Sequence, residues 1–202
     1  MLESSEDGYL FVTAAHLFEG VSLTRFNLEE DPVLYLAKPG KPSLRLNRRN
    51  VVLMKNFDVV FIKTPRLSDL ELNPLPIGRL RKETRLRNIG YPYRAIRNQP
   101  ILIDATAGSL SFEGGPWFQE GGVTKNLKLS LNSDDIHLID RKVIFLDYPS
   151  EPGFSGGPLL DAETNRVVGM MLGVLPSMKY NQAVTSNVFA FSLYIEEVLA
   201  AL

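Results

Sequence analysis

The chain has no cysteine. That excludes thiol catalysis, disulfides and cysteine-ligated zinc, and it points to a reducing compartment, so a cytoplasmic location is expected. Net charge is nearly absent: 22 basic and 23 acidic residues leave −1 at pH 7. A near-neutral chain is a poor non-specific binder of nucleic acid, and no such partner is expected. No run approaches the roughly 18 apolar residues of a membrane span, so no membrane partner is expected either. Residues 1–8 are polar and acidic, unlike a signal peptide. There is no internal repeat and no low-complexity segment. Histidine is scarce: His16 and His137 are the only two, so any histidine-dependent chemistry must use one of them. His137, with Asp134, Asp135 and Asp140 nearby, reads as a solvated side chain. No metal and no cofactor are expected.

What is present suits a large core. Hydrophobic residues make up 45% of the 202 and charged residues 22%, within the range of ordinary globular domains. Short β-prone runs recur: residues 9–13, 32–36, 44–46, 51–54, 58–63, 86–90, 101–112, 125–131, 143–146, 166–173 and 188–191. Proline, glycine and asparagine turns separate them. Residues 132–140 read as a polar loop. Only residues 194–202 show helical spacing, with Ile195, Val198, Leu199 and Leu202 on one face. There is no βαβ alternation. A proline-broken stretch over residues 70–79 divides the chain into residues 1–70 and 71–202. The basic residues that follow, Arg79, Arg81, Lys82, Arg85 and Arg87, read as solvated surface.

The most unusual stretch is Glu151-Pro152-Gly153-Phe154-Ser155-Gly156-Gly157-Pro158. A serine framed by glycines suits a sharp turn that presents one hydroxyl. Gly153 removes a Cβ that would crowd an N–H pointing at a ligand. Such a loop can aim the N–H groups of Gly153 and Ser155 at one point, as an oxyanion hole requires. A nucleophilic serine needs a base, and the base an orienting acid. His16 follows Ala14 and Ala15 at a strand end. Asp58 opens a strand apolar on both faces, where a buried carboxylate must be hydrogen-bonded. Each also has a plain structural reading: a Gly-rich turn, a satisfied half-buried histidine and a turn-capping aspartate.

The order His16, Asp58, Ser155 is that of two-barrel serine peptidases. On the blocks Thr13-Ala14-Ala15-His16, Phe57-Asp58-Val59-Val60-Phe61-Ile62-Lys63 and Gly153-Phe154-Ser155-Gly156-Gly157-Pro158, the sequence resembles the trypsin-like (chymotrypsin-fold) serine peptidases. It is most similar to their disulfide-free bacterial Deg-type branch. Softer matches are Gly90-Tyr91-Pro92, residues 106–111, Val167-Val168-Gly169-Met170 and the closing helix. The resemblance implies an all-β fold of two six-stranded-type antiparallel barrels with a short C-terminal helix. Residues 1–70 would carry His16 and Asp58, and residues 71–202 the serine loop. It implies a general base at His16, its orienter at Asp58, a nucleophile at Ser155 and oxyanion donors at Gly153 and Ser155. The partner would be a polypeptide substrate in extended conformation, with a fused or associated regulatory domain as a further one.

Phe154 stands where digestive members carry an aspartate that pairs with a new N-terminus, so that activation switch is absent. Only residues 1–8 precede the strand leading to His16, so the first barrel is expected to be trimmed, or the chain to lack its natural beginning. The resemblance puts the floor of the specificity pocket at Pro149 and Ser150, and its walls at Met171, Leu172, Gly173, Val188 and Ala190. None is charged, which implies cleavage after uncharged apolar residues. The competing expectation is a catalytically weak or inactive module that binds extended peptides.

Overall fold

The computed structural model describes residues 3–5, 7–18, 35–36, 44–46, 48–54, 56–66, 72–81, 83–91, 102–104, 109–111, 117–132, 137–148, 150, 153–179 and 182–202. Its elements run β1 (Glu3–Ser5), β2 (Gly8–Ala14), a 3₁₀ turn (Ala15–Phe18), β3 (Tyr35–Leu36), β4 (Leu44–Arg45), β5 (Val51–Met54) and β6 (Val59–Thr64). The second half has β7 (Leu86–Gly90), β8 (Leu102–Asp104), β9 (Ser109–Ser111), β10 (Trp117–Gly121), β11 (Val123–Asn132) and β12 (His137–Leu146). It closes with β13 (Pro158–Asp161), β14 (Val167–Lys179), β15 (Gln182–Tyr194) and α1 (Ile195–Ala200).

The architecture is all-β with one short closing helix, as the resemblance implies. Among the described residues one antiparallel sheet has four strands, in the order β1-β2-β6-β5. A second has seven, β10-β7-β13-β14-β15-β12-β11. Residues ahead of Gly8 supply a strand, since β1 pairs with β2 in the register Glu3↔Leu10.

Why these strands form follows from the side chains they bury. In β6 four consecutive residues, Val59 to Ile62, are buried. Their alternate faces serve two clusters: Val60 and Ile62 pack with Phe18 and Leu46, while Val59 and Phe61 join the larger core. That larger core also takes Leu10 and Ala14 from the first sheet, and Leu138, Val143, Met170, Leu172 and Leu193 from the second. It therefore glues the two sheets together. A third cluster, including Leu86, Ile144, Phe154, Leu159 and Met171, fills the second sheet's own interior.

The helix α1 is too short to persist alone. Ile195 and Val198 are buried in the shared core, each worth about 1.5–3 kcal/mol of transfer free energy. Glu196 and Glu197 in its first turn complement the helix dipole.

Two readings of polar sequence change. Residues 137–140 belong to a strand rather than a loop, because Leu138 is 1% exposed and packs in the shared core. The basic run is partly paired rather than simply solvated: Arg81 reaches the buried Asp161 at 3.0 Å, and Arg85 and Arg87 both reach Glu120. Burial raises the Asp161 pKa, but N–H donation from Thr164, the Arg81 side chain and N–H donation from Glu163 outweigh it and hold the carboxyl below its usual range. The pair fastens the connecting segment to β13, and Gly78 donates to the Val167 carbonyl at 2.9 Å nearby.

Candidate active site

Strand β2 ends at Ala14, which is fully buried, and Ala15 donates its N–H to the Asp58 carbonyl at 3.0 Å. That bond lays the first residues of the 3₁₀ turn directly over the start of β6. Ala14 packs in the shared core, and Ala15 lies partly buried beside it. Asp58 then meets His16 at two points. Its Oδ1 accepts the His16 backbone N–H at 2.9 Å, and its Oδ2 lies 2.7 Å from His16 Nδ1. An ionised carboxylate only accepts, so a neutral His16 ring facing it carries its proton on Nδ1 and keeps a free lone pair on Nε2. The Asp58 side chain is 2% exposed and that of His16 14%. Asp58 has φ 51° and Asn56 φ 72°, both left-handed. Such backbone persists where the surroundings over-determine it.

The serine loop reaches this pair through its glycines. Gly156 has φ +77°, and a Cβ there would strike Thr13 Oγ1 and lie 2.9 Å from the Ala14 N. The loop therefore lies against the end of the strand that leads to His16. Gly156 donates to the Met171 carbonyl at 2.7 Å, Gly157 to Phe154 at 3.0 Å, and Met171 to Gly157 at 2.9 Å. The two bonds to Met171 lace the loop to β14, and the bond to Phe154 closes the loop on itself. The Phe154 ring is buried at 1% beneath it. On the other side, Tyr91 donates to the Gly153 carbonyl at 2.9 Å, and Gly90 leaves no room for a Cβ beside Phe154. Among the described residues the N–H groups of Gly153 and Ser155 have no acceptor.

Gly156→Val is expected to push the serine loop off Thr13 and Ala14 and to cost about 1–3 kcal/mol of stability, because it forces a branched side chain into left-handed backbone. Thermal unfolding checks this.

The Ser155 hydroxyl donates to the Leu172 carbonyl at 2.9 Å. Among the described residues no hydrogen bond joins it to His16. Pairing between β14 and β15 is irregular between Met171 and Gly173. A bulge of this kind re-aims one peptide unit, and the Leu172 carbonyl is the one that meets the serine.

The residues expected to shape a specificity pocket are dispersed. Pro149 lies outside the described residues. Ser150 is half-buried. Met171 and Ala190 are fully buried in the second sheet's interior, and Leu172 sends its side chain into the shared core. Gly173 is partly exposed, and Val188 pairs with Pro176 along the same hairpin. His137 opens β12, while Asp134 and Asp135 lie outside the described residues. Among the described residues no three His, Asp or Glu side chains converge as metal ligands.

Sequence reasoning missed a polar set inside the second sheet. Asn88, 0% exposed, faces Gln119 and Leu159 in register. Its amide has no partner among the described residues, nor do Gln119 Oε1 and the Tyr148 hydroxyl. Burial, with Asp147 and Glu120 adding to it, pushes the Tyr148 phenol above its ordinary pKa. The alternation of Leu86, Asn88 and Gly90 along one buried face was the available signal.

With this geometry in hand, the chain can be set beside known proteins. Residues 4–170 match the family described as trypsin-like peptidase domain. No curated protein matches. Among solved structures, the active form of the Rv3671c protease from M. tuberculosis is similar at TM-score 0.61 and 20% identity, over 96% of this chain and 70% of that one. Deg5 is similar at 0.58 and 17% identity, over 99% and 78%. The HtrA-type protease AlgW, solved with a decapeptide, is similar at 0.60 and 15% identity, and this chain spans 49% of its length.

Proposed function

On the premise that this chain belongs to the trypsin-like peptidase family, we propose that it is a serine endopeptidase working through His16, Asp58 and Ser155. The observation that carries the reading is the two-point contact of Asp58 with His16, which leaves Nε2 free to accept a proton. The Ser155 hydroxyl turns from the Leu172 carbonyl toward His16 as substrate binds, a rotation between staggered wells. Such bonds are commonly loose before substrate arrives. His16 Nε2 takes the hydroxyl proton while Oγ attacks the scissile carbonyl. The developing oxyanion receives the N–H groups of Gly153 and Ser155. The protonated imidazole, held by Asp58, then gives its proton to the leaving amine, and an acyl-enzyme remains on Ser155. Water, activated by the same imidazole, releases the acid and restores the serine. A fluorophosphonate probe tests this: covalent labelling at Ser155 is expected, and no labelling of the folded protein would sink the proposal.

The Ser155–Leu172 bond is also the observation that favours a second reading, a peptidase-fold module that binds extended peptides without cutting them. The same probe separates the two, since only a competent nucleophile is modified.

For the substrate we propose an extended polypeptide pairing antiparallel with β14 near Gly173, where a glycine permits close backbone approach. Gly173→Phe should raise KM for long peptides at least tenfold and leave labelling by a small fluorophosphonate nearly unchanged. Normal kinetics on long peptides would place the substrate elsewhere.

We further propose cleavage after uncharged, apolar side chains. Of the residues at which the resemblance puts the pocket, Ser150 and Gly173 are partly exposed and neither is charged, and a lysine or arginine desolvated without a counter-ion is disfavoured by several kcal/mol. A peptide-library digest should show dominant cuts after Ala, Val, Leu or Met. Dominant cuts after Lys or Arg would refute it. Since the chain spans about half of AlgW, a fused or associated regulatory domain is proposed as a further partner.

A further inference from the structure

The turn that delivers Asp58 is held from the opposite half of the molecule. The Asn56 carbonyl accepts the Ile139 N–H at 3.2 Å and Arg141 Nε at 3.3 Å. Phe57 forms a bridge with Leu138, and the Arg141 guanidinium carbon lies 3.7 Å from the centre of the Phe57 ring. On its other side Arg141 donates Nη1 to Glu197 Oε2 at 3.4 Å. Glu197 Oε1 in turn accepts the Lys142 N–H at 3.3 Å. The side chains of Arg141 and Glu197 are only 25% and 16% exposed, so the pair is shielded well enough to matter more than a surface ion pair.

The chain of contact thus runs from α1 through Arg141 on β12 to the two residues before Asp58. These two, with Asp58, form a turn entered and left by left-handed residues, Asn56 and Asp58. Backbone of that kind relaxes unless something holds it. The carboxylate it carries must meet a backbone N–H and a ring nitrogen at once, which tolerates little displacement. A planar guanidinium can stack on Phe57 and still direct Nε at one carbonyl and Nη1 at a carboxylate. An ammonium group cannot do all three.

We propose that Arg141 is a positioning residue for the catalytic group: aligned by Glu197, it fixes the Asn56-Phe57-Asp58 turn so that Asp58 engages His16 at both points. The proposal rests on the peptidase reading for its kinetic consequence but not for its structural one.

The test uses the full chain and three variants, Arg141→Ala, Arg141→Lys and Phe57→Leu. Two readouts are taken: kcat and KM on a peptide substrate, and the downfield proton resonance of His16 Nδ1–H. A geometric misplacement of this size is expected to lower kcat about 10- to 100-fold. KM should stay within about twofold, because the substrate cleft is not touched. The His16 resonance should move upfield or broaden in all three variants, and Arg141→Lys should not rescue, although it keeps the charge. Phe57→Leu keeps an apolar side chain, though a smaller one, removes the ring on which Arg141 stacks, and decides the matter if Arg141→Ala does not fold. Wild-type kcat and an unmoved His16 resonance in a folded variant would overturn the proposal while leaving the peptidase reading intact. A displaced resonance in a chain that never cleaves peptide would uphold the positioning role and overturn the peptidase reading instead.

Discussion

Ser155→Ala is expected to abolish peptide-bond hydrolysis, a loss on the order of 10⁶ in kcat, with the fold unchanged. The side chain is half-buried and makes one hydrogen bond, to the Leu172 carbonyl, so its removal disturbs little packing. Gly153, Gly156 and Gly157 shape the loop whether or not the hydroxyl is present. His16→Ala should be about as damaging to kcat, though it also leaves the buried Asp58 carboxylate with one partner fewer and should lower stability by about 1–3 kcal/mol. The two losses should not add. If His16 acts only by activating Ser155, the double variant should be no slower than Ser155→Ala. Kinetics on one peptide with all four proteins checks this. An additive double variant would mean that the two residues do not work together, and unchanged turnover in Ser155→Ala would dismiss the assignment altogether.

Asp58→Asn is expected to cost about 10⁴ in kcat. Asparagine is the right replacement because Asp58 has φ 51°, and asparagine tolerates that conformation where alanine does not. Backbone placement is therefore kept, and the charge alone is removed. The amide can still accept the His16 N–H through its oxygen. Its NH₂ group then faces Nδ1, and two donors cannot share that contact. The ring must take the other tautomer, with the proton on Nε2, where it no longer serves as a base. Labelling of Ser155 by fluorophosphonate should slow in proportion, and the unfolding temperature should fall by only a few degrees. Near-normal turnover in a folded Asp58→Asn would show that Asp58 caps a turn and does no more.

Much of this was legible in the chain itself. The blocks around His16, Asp58 and Ser155 are short, and their residue types are dictated locally. Ala14 permits tight packing, Asp58 tolerates left-handed backbone, and Gly156 does so freely. The strands β5 and β7 were readable to the residue, because apolar side chains mark both ends of β5, and Leu86 opens β7 while Gly90 closes it. Strand β12 was not, since only two of its first four residues, Leu138 and Ile139, are apolar, and Ile139 is exposed. Only the fit of Leu138 into a core shared with Phe57 makes a strand there. The basic run was readable as charge, but not as paired with Asp161 and Glu120, because those partners lie far away in sequence.

By itself, then, the sequence determined the order of the three candidate residues, together with the all-β class and the glycine-framed turn, which depend on neighbours within a few positions. Tertiary structure alone decided which way the Ser155 hydroxyl points, through the Leu172 carbonyl displaced by the irregularity in β14. It also decided that Gly156 lies against Thr13, and that Arg141 and Glu197 reach the turn before Asp58. Each of these contacts joins residues more than 15 positions apart. No periodicity or local propensity encodes such a pairing, because its free energy exists only once both sheets have closed on their common core.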